Sequence, residues 1–272
     1  MASLHSAKRE SLRRAFRRLW SDRRSGSSYL ALRAARMLRN ALAGRTPAPP
    51  FDIRHFARRS AAAFPTMGLL ATLDERLQRA LGSSRAWDEP ALTRTREALE
   101  SFISEIADAR NRAAVTFVRA AGKRRRFLTL SMSGSVIDAL SQLAKTRRIE
   151  VVVCESRPAF EGRLTASRLR KAGCRTSLIH DAAMGSYLME VDAVVLGADW
   201  VDHDGFINKT GSLALSLLAG GAGIPVFVIA DSLRCPSRPR PARTGRNPIF
   251  EFVPWSSHHR LITETPAARR PR

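Results

Sequence analysis

"RRIEVVVCESRPAFEGRLTASRLRKAGCRTSLIH", residues 147–180, decides the fold. A run of β-branched and apolar residues ends at Cys154, a polar turn follows, and then a stretch of helical spacing closes at Gly173. A second strand-like run, "RTSLIH", comes directly after. Apolar residues in "IEVVVCE" are consecutive rather than alternating, so that strand is covered on both faces. A helix between two such strands is a crossover, and the sheet is therefore parallel.

The same grammar extends in both directions. Upstream lie "RFLTLS" (126–131) and the helical "SVIDALSQLAKT" (135–146). Downstream lie "AAMGSYLME" (182–190), "VDAVVLG" (191–197), the helix "GSLALSLLAGGAG" (211–223) and "IPVFVIAD" (224–231). The expected fold class is α/β, with a Rossmann-like parallel sheet domain over 122–272. Ligands of such sheets bind where the carboxyl ends of the strands meet the following helices. The residues expected there are Ser131, Cys154 and Glu155, His180 and Asp181, Gly197 to Asp199, and Asp231.

Before Gly122 the pattern is helical, giving an N-terminal helical domain over 1–121. "SSYLALRAARMLRNAL" (27–42) sets Leu30, Leu32, Ala35, Met37 and Leu38 near one face, with Ser27 or Ser28 as cap. "PALTRTREALESFISEIADARNRAAVTFVRA" (90–120) does the same with Leu99, Phe102, Ile103, Ile106, Ala113, Ala114 and Phe117. Between them come "RTPAPPFDIRHF" (45–56), read as a Pro-rich loop, and the amphipathic "TMGLLATLDERLQRALG" (66–82). The basic tail 1–26 has the Arg- and Ser-rich look of a transit peptide, but Glu10 and Asp22 lie inside it and no cleavage site is evident, so a solvated basic helix is expected. "RCPSRPRPARTGR" (234–246) is a basic Pro-rich insertion, expected to be linker-like.

Length and composition bound the rest. The chain has 272 residues with 44% hydrophobic content, enough for a core in each of two domains. The longest uncharged apolar stretch, Ser212 to Ala230, is broken by Gly220, Gly221, Gly223 and Pro225, so no membrane span is expected. Three cysteines without metal-ligand spacing fit a reduced, cytoplasmic protein better than a disulfide scaffold. The formal charge is +22, and only five of 46 basic residues are lysine. Such a charge attracts polyanions in a salt-dependent way. Nucleic-acid binding through the basic segments is nevertheless not favoured: zinc-finger spacing is absent and aromatic residues make up only 7% of the chain.

The strand ends suggest a phosphorylated ligand. "SMSGS" (131–135), with Ser133 and Gly134, starts a helix, and "TGS" (210–212) starts another beside Lys209. Helix N-termini favour phosphate, and Arg157 is a further cation in reach. Asp199 is a candidate general acid or base, or alternatively a turn cap. Arg157 either meets the ligand or pairs with a carboxylate. Cys154 reads as a small core residue and His180 as a turn histidine.

Four segments in order, "VVVCESRPAFEGRLTASRL" (151–169), "IHDAAMGSYL" (179–188), "VVLGADWVDHDGFINKTG" (194–211) and "NPIFEFVPWSSHHRLITE" (247–264), resemble one superfamily. It comprises the alpha, beta and delta subunits of translation initiation factor two B, with methylthioribose-1-phosphate isomerase and ribose-1,5-bisphosphate isomerase. The resemblance spans about 126–264, with a weaker echo in "FPTMGLLATL" (64–73). It implies a Rossmann-like domain of the NagB/RpiA/CoA-transferase type that binds a sugar phosphate or nucleotide, assembled as a homodimer or larger oligomer. It implies aldose–ketose isomerisation without metal or cofactor, or alternatively a ligand-sensing regulatory subunit without catalysis. By the same resemblance Asp199 is the catalytic aspartate, Asn208 and Lys209 hold the substrate, and Arg157, Glu161 and Gly162 line it. Three positions depart from the isomerases: Ser131 stands where they have a catalytic cysteine, Glu161 where they have glutamine, and Phe64 where they have arginine. A serine hydroxyl is not a base at neutral pH without help.

Overall fold

The computed structural model describes residues 2–22, 25–43, 47–241 and 249–265, with side chains from Glu10 onward. The chain forms two compact units, Met1–Ala107 with Pro236–Arg240, and Asp108–Cys235 with Pro241–Arg272.

The first unit is helical. Helices α1 (Ala2–Trp20), α2 (Ser27–Ala41), α3 (Pro50–Ala63), α4 (Gly68–Leu81) and the first part of α5 (Glu89–Ala120) build it. Three expectations are corrected here. The end of the basic tail is part of the core: Phe16 and Leu19 of α1 are fully buried, with Phe16 stacked on Phe56 at 4.6 Å. Most of the Pro-rich stretch is helical, because Pro50 opens α3 where a missing N–H costs nothing. The cap of α2 also differs: Gly26 occupies it, and Ser27 and Ser28 are buried inside the helix.

Helix α5 runs unbroken to Ala120, just short of the point where the sequence grammar changes, and the contact boundary, between Ala107 and Asp108, falls inside it, not at 121. The reason is its last turns: Ala113, Ala114, Phe117 and then Ala121 pack into the core beneath the sheet.

The second unit carries the sheet. Strands β1 (Arg126–Thr129), β2 (Glu150–Cys154), β3 (Arg175–Ile179), β4 (Ala193–Gly197), β7 (Val226–Ile229) and β9 (His259–Ile262) pair in the order β3-β2-β1-β4-β7-β9, all parallel. Helices α6 (Gly134–Ala144), α7 (Glu161–Lys171), α8 (Met184–Leu188) and α9 (Ser212–Gly221) provide the crossovers. Separate apolar clusters form around Phe127, Val153 and Phe227, and around Leu128, Leu196 and Val228. The fully buried β4 and β7 fit the reading of consecutive apolar runs as doubly covered strands. A small antiparallel sheet joins β5 (Trp200–Val201), β6 (Gly205–Lys209) and β8 (Phe250–Pro254).

Strand β1 is flanked by β2 on one side and β4 on the other, so the chain leaves it in opposite directions. In open parallel sheets the ligand crevice lies at such a switch point, here between the loop after β1 and the loop after β4. Among the described residues no helix is long and apolar enough to cross a membrane.

Candidate functional site

The loop after β1 turns sharply at Ser131, whose φ of 66° is left-handed. Few non-glycine residues adopt that conformation, and those that do concentrate at functional sites. Its amide donates to Ser156 Oγ at 2.6 Å, and Ser156, also left-handed, is the matching residue after β2. Two further amides, of Ser156 and Arg157, are each held at 2.7 Å by the Asp181 carboxylate after β3. Three neighbouring strand ends are thereby laced together.

Ser133 caps α6, accepting from the Val136 amide at 3.4 Å. A β-carbon on Gly197, the last residue of β4, would lie 2.5 Å from Ser133 Oγ. Glycine there lets the two loops approach. Gly134 is small for a similar reason, since its β-carbon would meet the Arg110 guanidinium at 2.7 Å. Arg110, which sequence reading passed over, bonds Asp138 at 2.6 Å beside the N-terminus of α6.

The centre of the site is a buried chain of polar groups. Lys209, only 1% exposed at the end of β6, sets Nζ 2.5 Å from Glu161 Oε1. Ser131 Oγ donates to the same oxygen at 3.1 Å. The other oxygen, Glu161 Oε2, is buried and has no hydrogen-bond partner among the described residues. Gly162 follows as a packing residue: its β-carbon would lie 1.9 Å from the Cys154 carbonyl oxygen.

Asp199 lies next to this chain. Its amide donates to the Ile207 carbonyl at 2.8 Å, two residues before Lys209 on β6. Its carboxylate is 3.4 Å from Arg234 NH1, and Arg234 also donates to Asp231 Oδ2 at 3.1 Å and the Ala198 carbonyl at 2.8 Å. Arg234 is thus a buried site residue, and the described start of the basic insertion is ordered by ion pairs, contrary to its expected linker character. A cation is retained inside because it meets two carboxylates. Residues 242–246 of that insertion lie outside the described residues.

Other expected residues are placed differently. Asn208 Nδ2 donates to Ser212 Oγ at 2.8 Å, which in turn donates to the Lys209 carbonyl at 2.6 Å. Arg157 is 68% exposed, stacks over Phe160 at 4.8 Å and lies 3.5 Å from buried Glu155. The "TGS" helix start is not open to phosphate: Glu251 accepts from the Gly211 and Leu213 amides at 2.7 and 2.8 Å. A carboxylate there satisfies the same orphan donors an anion would use. Cys154 is buried, and burial, with the nearby Asp181 charge, pushes its thiol up to about 12. Outside the crevice, Asp202, His203 and Asp204 bring ligand atoms within 4.8 Å of one another. They form a turn in which Asp202 Oδ1 accepts the Asp204 and Gly205 amides.

Comparison with known proteins gives this geometry a family. Over 101 residues, 35% of this chain and 32% of the relative, the sequence is 41% identical to ribose 1,5-bisphosphate isomerase of Archaeoglobus fulgidus. Over 153 residues it is 31% identical to a putative translation initiation factor eIF-2B subunit 2-like protein of Pyrococcus abyssi, covering 50% of this chain and 55% of that one. The chain thus spans no more than about half the length of these relatives. The fold matches the crystal structure of translation initiation factor eIF-2B from Pyrococcus horikoshii OT3 with a TM-score of 0.79 and 22% identity, covering 94% and 95% of the two chains. It also matches 5-methylthioribose 1-phosphate isomerase from the same organism, with a TM-score of 0.69, 18% identity, and 93% and 83% coverage. Residues 24–240 match the Initiation factor 2 subunit family, and the chain belongs to that family.

Proposed function

We propose that the protein binds a phosphorylated sugar at the β1/β4 switch point and isomerises it from aldose to ketose. The observation that carries this reading is a pair of buried acceptors in the sheet unit, Glu161 Oε2 and Asp231 Oδ1, neither with a hydrogen-bond partner among the described residues. Unsatisfied buried acceptors are costly, and a ligand rich in hydroxyl donors relieves the cost. The start of α6 beside Arg110 suits a phosphate, since both its dipole and the adjacent cation attract an anion. Asp199 serves as acid and base, oriented by Arg234. The segment shared with the Archaeoglobus isomerase supports the same substrate class.

A second reading, a ligand-sensing regulatory subunit, is favoured by one observation. Ser131 occupies the end of β1, where its hydroxyl donates to Glu161 and supplies no thiolate. Exposed Leu217 and Leu218 on α9 and Met189 support self-association. Three free cysteines support a reducing compartment, the cytoplasm.

Thermal-shift titration with ribose 1,5-bisphosphate, ribose 5-phosphate and nucleotides, followed by an assay for ketose formation, tests the proposal. Turnover lost in Asp199→Asn, with binding kept, supports the isomerase. Binding without turnover in the unaltered protein, lost in Lys209→Ala, supports the sensor. Binding indifferent to Asp199, Asn208 and Lys209 sinks both.

A further inference from the structure

We infer that Glu161 is the catalytic base that carries the substrate proton between carbons, with Asp199 as its acidic counterpart. The inference rests on the isomerase reading and names the second proton-handling group that reading needs.

Aldose–ketose conversion moves one hydrogen from C2 to C1 and one proton from the C2 hydroxyl to the ring oxygen. Two proton-handling groups serve this chemistry best. Among the described residues around the crevice, the candidates are few. Ser131 donates its hydroxyl proton to Glu161 and accepts none from it. The Cys154 sulfur is sealed in the core under β2, 0% exposed. Lys209 is committed to an ion pair. Asp231 is 1% exposed and keeps one oxygen on Arg234. Glu161 is the carboxylate tied directly to the loop after β1, through Ser131. Its Oε1 is held from two sides by Lys209 and Ser131, which fixes the carboxylate plane, while Oε2 has no partner among the described residues. A carboxylate anchored through one oxygen and unoccupied at the other is arranged as a base. Ser131 acts as a positioning residue.

For an aldose 1-phosphate the steps balance without any co-reactant. The Asp199 carboxyl gives its proton to the ring oxygen as the C1–O ring bond breaks, leaving a cation at C1. Glu161 takes the C2 proton, and the C2–H electron pair becomes the C1–C2 double bond of an enol phosphate. Glu161 then returns the proton to C1, and Asp199 takes the proton of the C2 hydroxyl, which becomes the ketone. Both carboxyl groups end in their starting states.

The test uses the full chain and ribose 1,5-bisphosphate. Glu161→Gln keeps the shape and an acceptor for Lys209 but removes the base. Its kcat is expected to fall at least about 100-fold while the thermal shift by the bisphosphate persists, and Glu161→Asp is expected to recover part of the rate. A Glu161→Gln protein that turns over at the unaltered rate overturns the assignment. Should that variant not fold, Glu161→Asp decides. A slowed turnover with the thermal shift kept supports the assignment, and turnover at the unaltered rate overturns it. Binding of the bisphosphate with no turnover overturns the base assignment and leaves the ligand reading standing. No thermal shift at all overturns both.

Discussion

Gly162 and Cys154 are in closer contact than any other residue type at position 162 permits, with a β-carbon there lying 1.9 Å from the Cys154 carbonyl oxygen. The obstructing atom belongs to the backbone of β2 and cannot rotate away. Gly162→Ala is therefore expected to push the start of α7 off the strand and to destabilise the protein by at least about 1–3 kcal/mol. Denaturant unfolding measures this. Because Glu161 precedes it, the substitution is also expected to weaken bisphosphate binding in thermal-shift titration.

Lys209 and Glu161 form a pair too deeply buried for solvent to screen, at 1% and 17% exposure. Removing one partner strands the other charge in a poor dielectric. Lys209→Met is expected to cost roughly 3–5 kcal/mol. The double variant Lys209→Met with Glu161→Gln should cost less than the sum of the single changes, since neither charge remains. Additive losses would show that the two side chains do not interact.

The thiols set a limit at high pH. Burial pushes Cys154 up to about 12 and Cys174 up to about 11, from an ordinary value of 9.0. Above pH 9 the unfolded chain releases these protons while the folded one holds them, so stability falls as pH rises. Unfolding midpoints measured from pH 8 upward should decline above about 9. Near neutral pH both thiols are protonated, and Cys154 and Cys174 should resist alkylation by iodoacetamide until the protein is denatured.

Within the helical unit, Glu75 on α4 holds residues 236–240. Burial by itself raises its carboxyl, but the Ser237 and Arg238 amides and the Arg238 guanidinium outweigh that, and the pKa falls below its ordinary 4.5. The contribution is fully present above that value and is lost as pH drops through the lower, folded one. Arg238→Ala is expected to speed amide hydrogen exchange across 236–240 at neutral pH. The unaltered protein should show the same acceleration only in acid. Equal exchange in both at neutral pH would remove Glu75 as the tether.

The parallel sheet was legible because strands such as β4 and β7 are runs of consecutive apolar residues. Asp199, Asn208 and Lys209 were legible because they share one short loop and strand. Arg234 was not: it sits among prolines and arginines that read as a solvated linker, and only the fold reveals the two carboxylates that draw it inside. Glu251 and Arg110 escaped for the same reason, each reaching the site from a distant element. Burial of α1 was hidden by its charge, since Phe16 and Leu19 are spaced among arginines. Sequence spacing finds residues that are neighbours along the chain. Partners brought by topology carry no local signature.

Strand β7 pairs with β4 on one side and with β9 on the other. During synthesis its wholly apolar residues 226–229 leave the ribosome well before His259–Ile262 follow. Until then one flank of β7 has unsatisfied amides and carbonyls, the kind of template on which nascent chains stick to one another. Translation speed across the basic insertion between them therefore governs how long this sticky interval lasts, and chaperone demand should rise when ribosomes slow there.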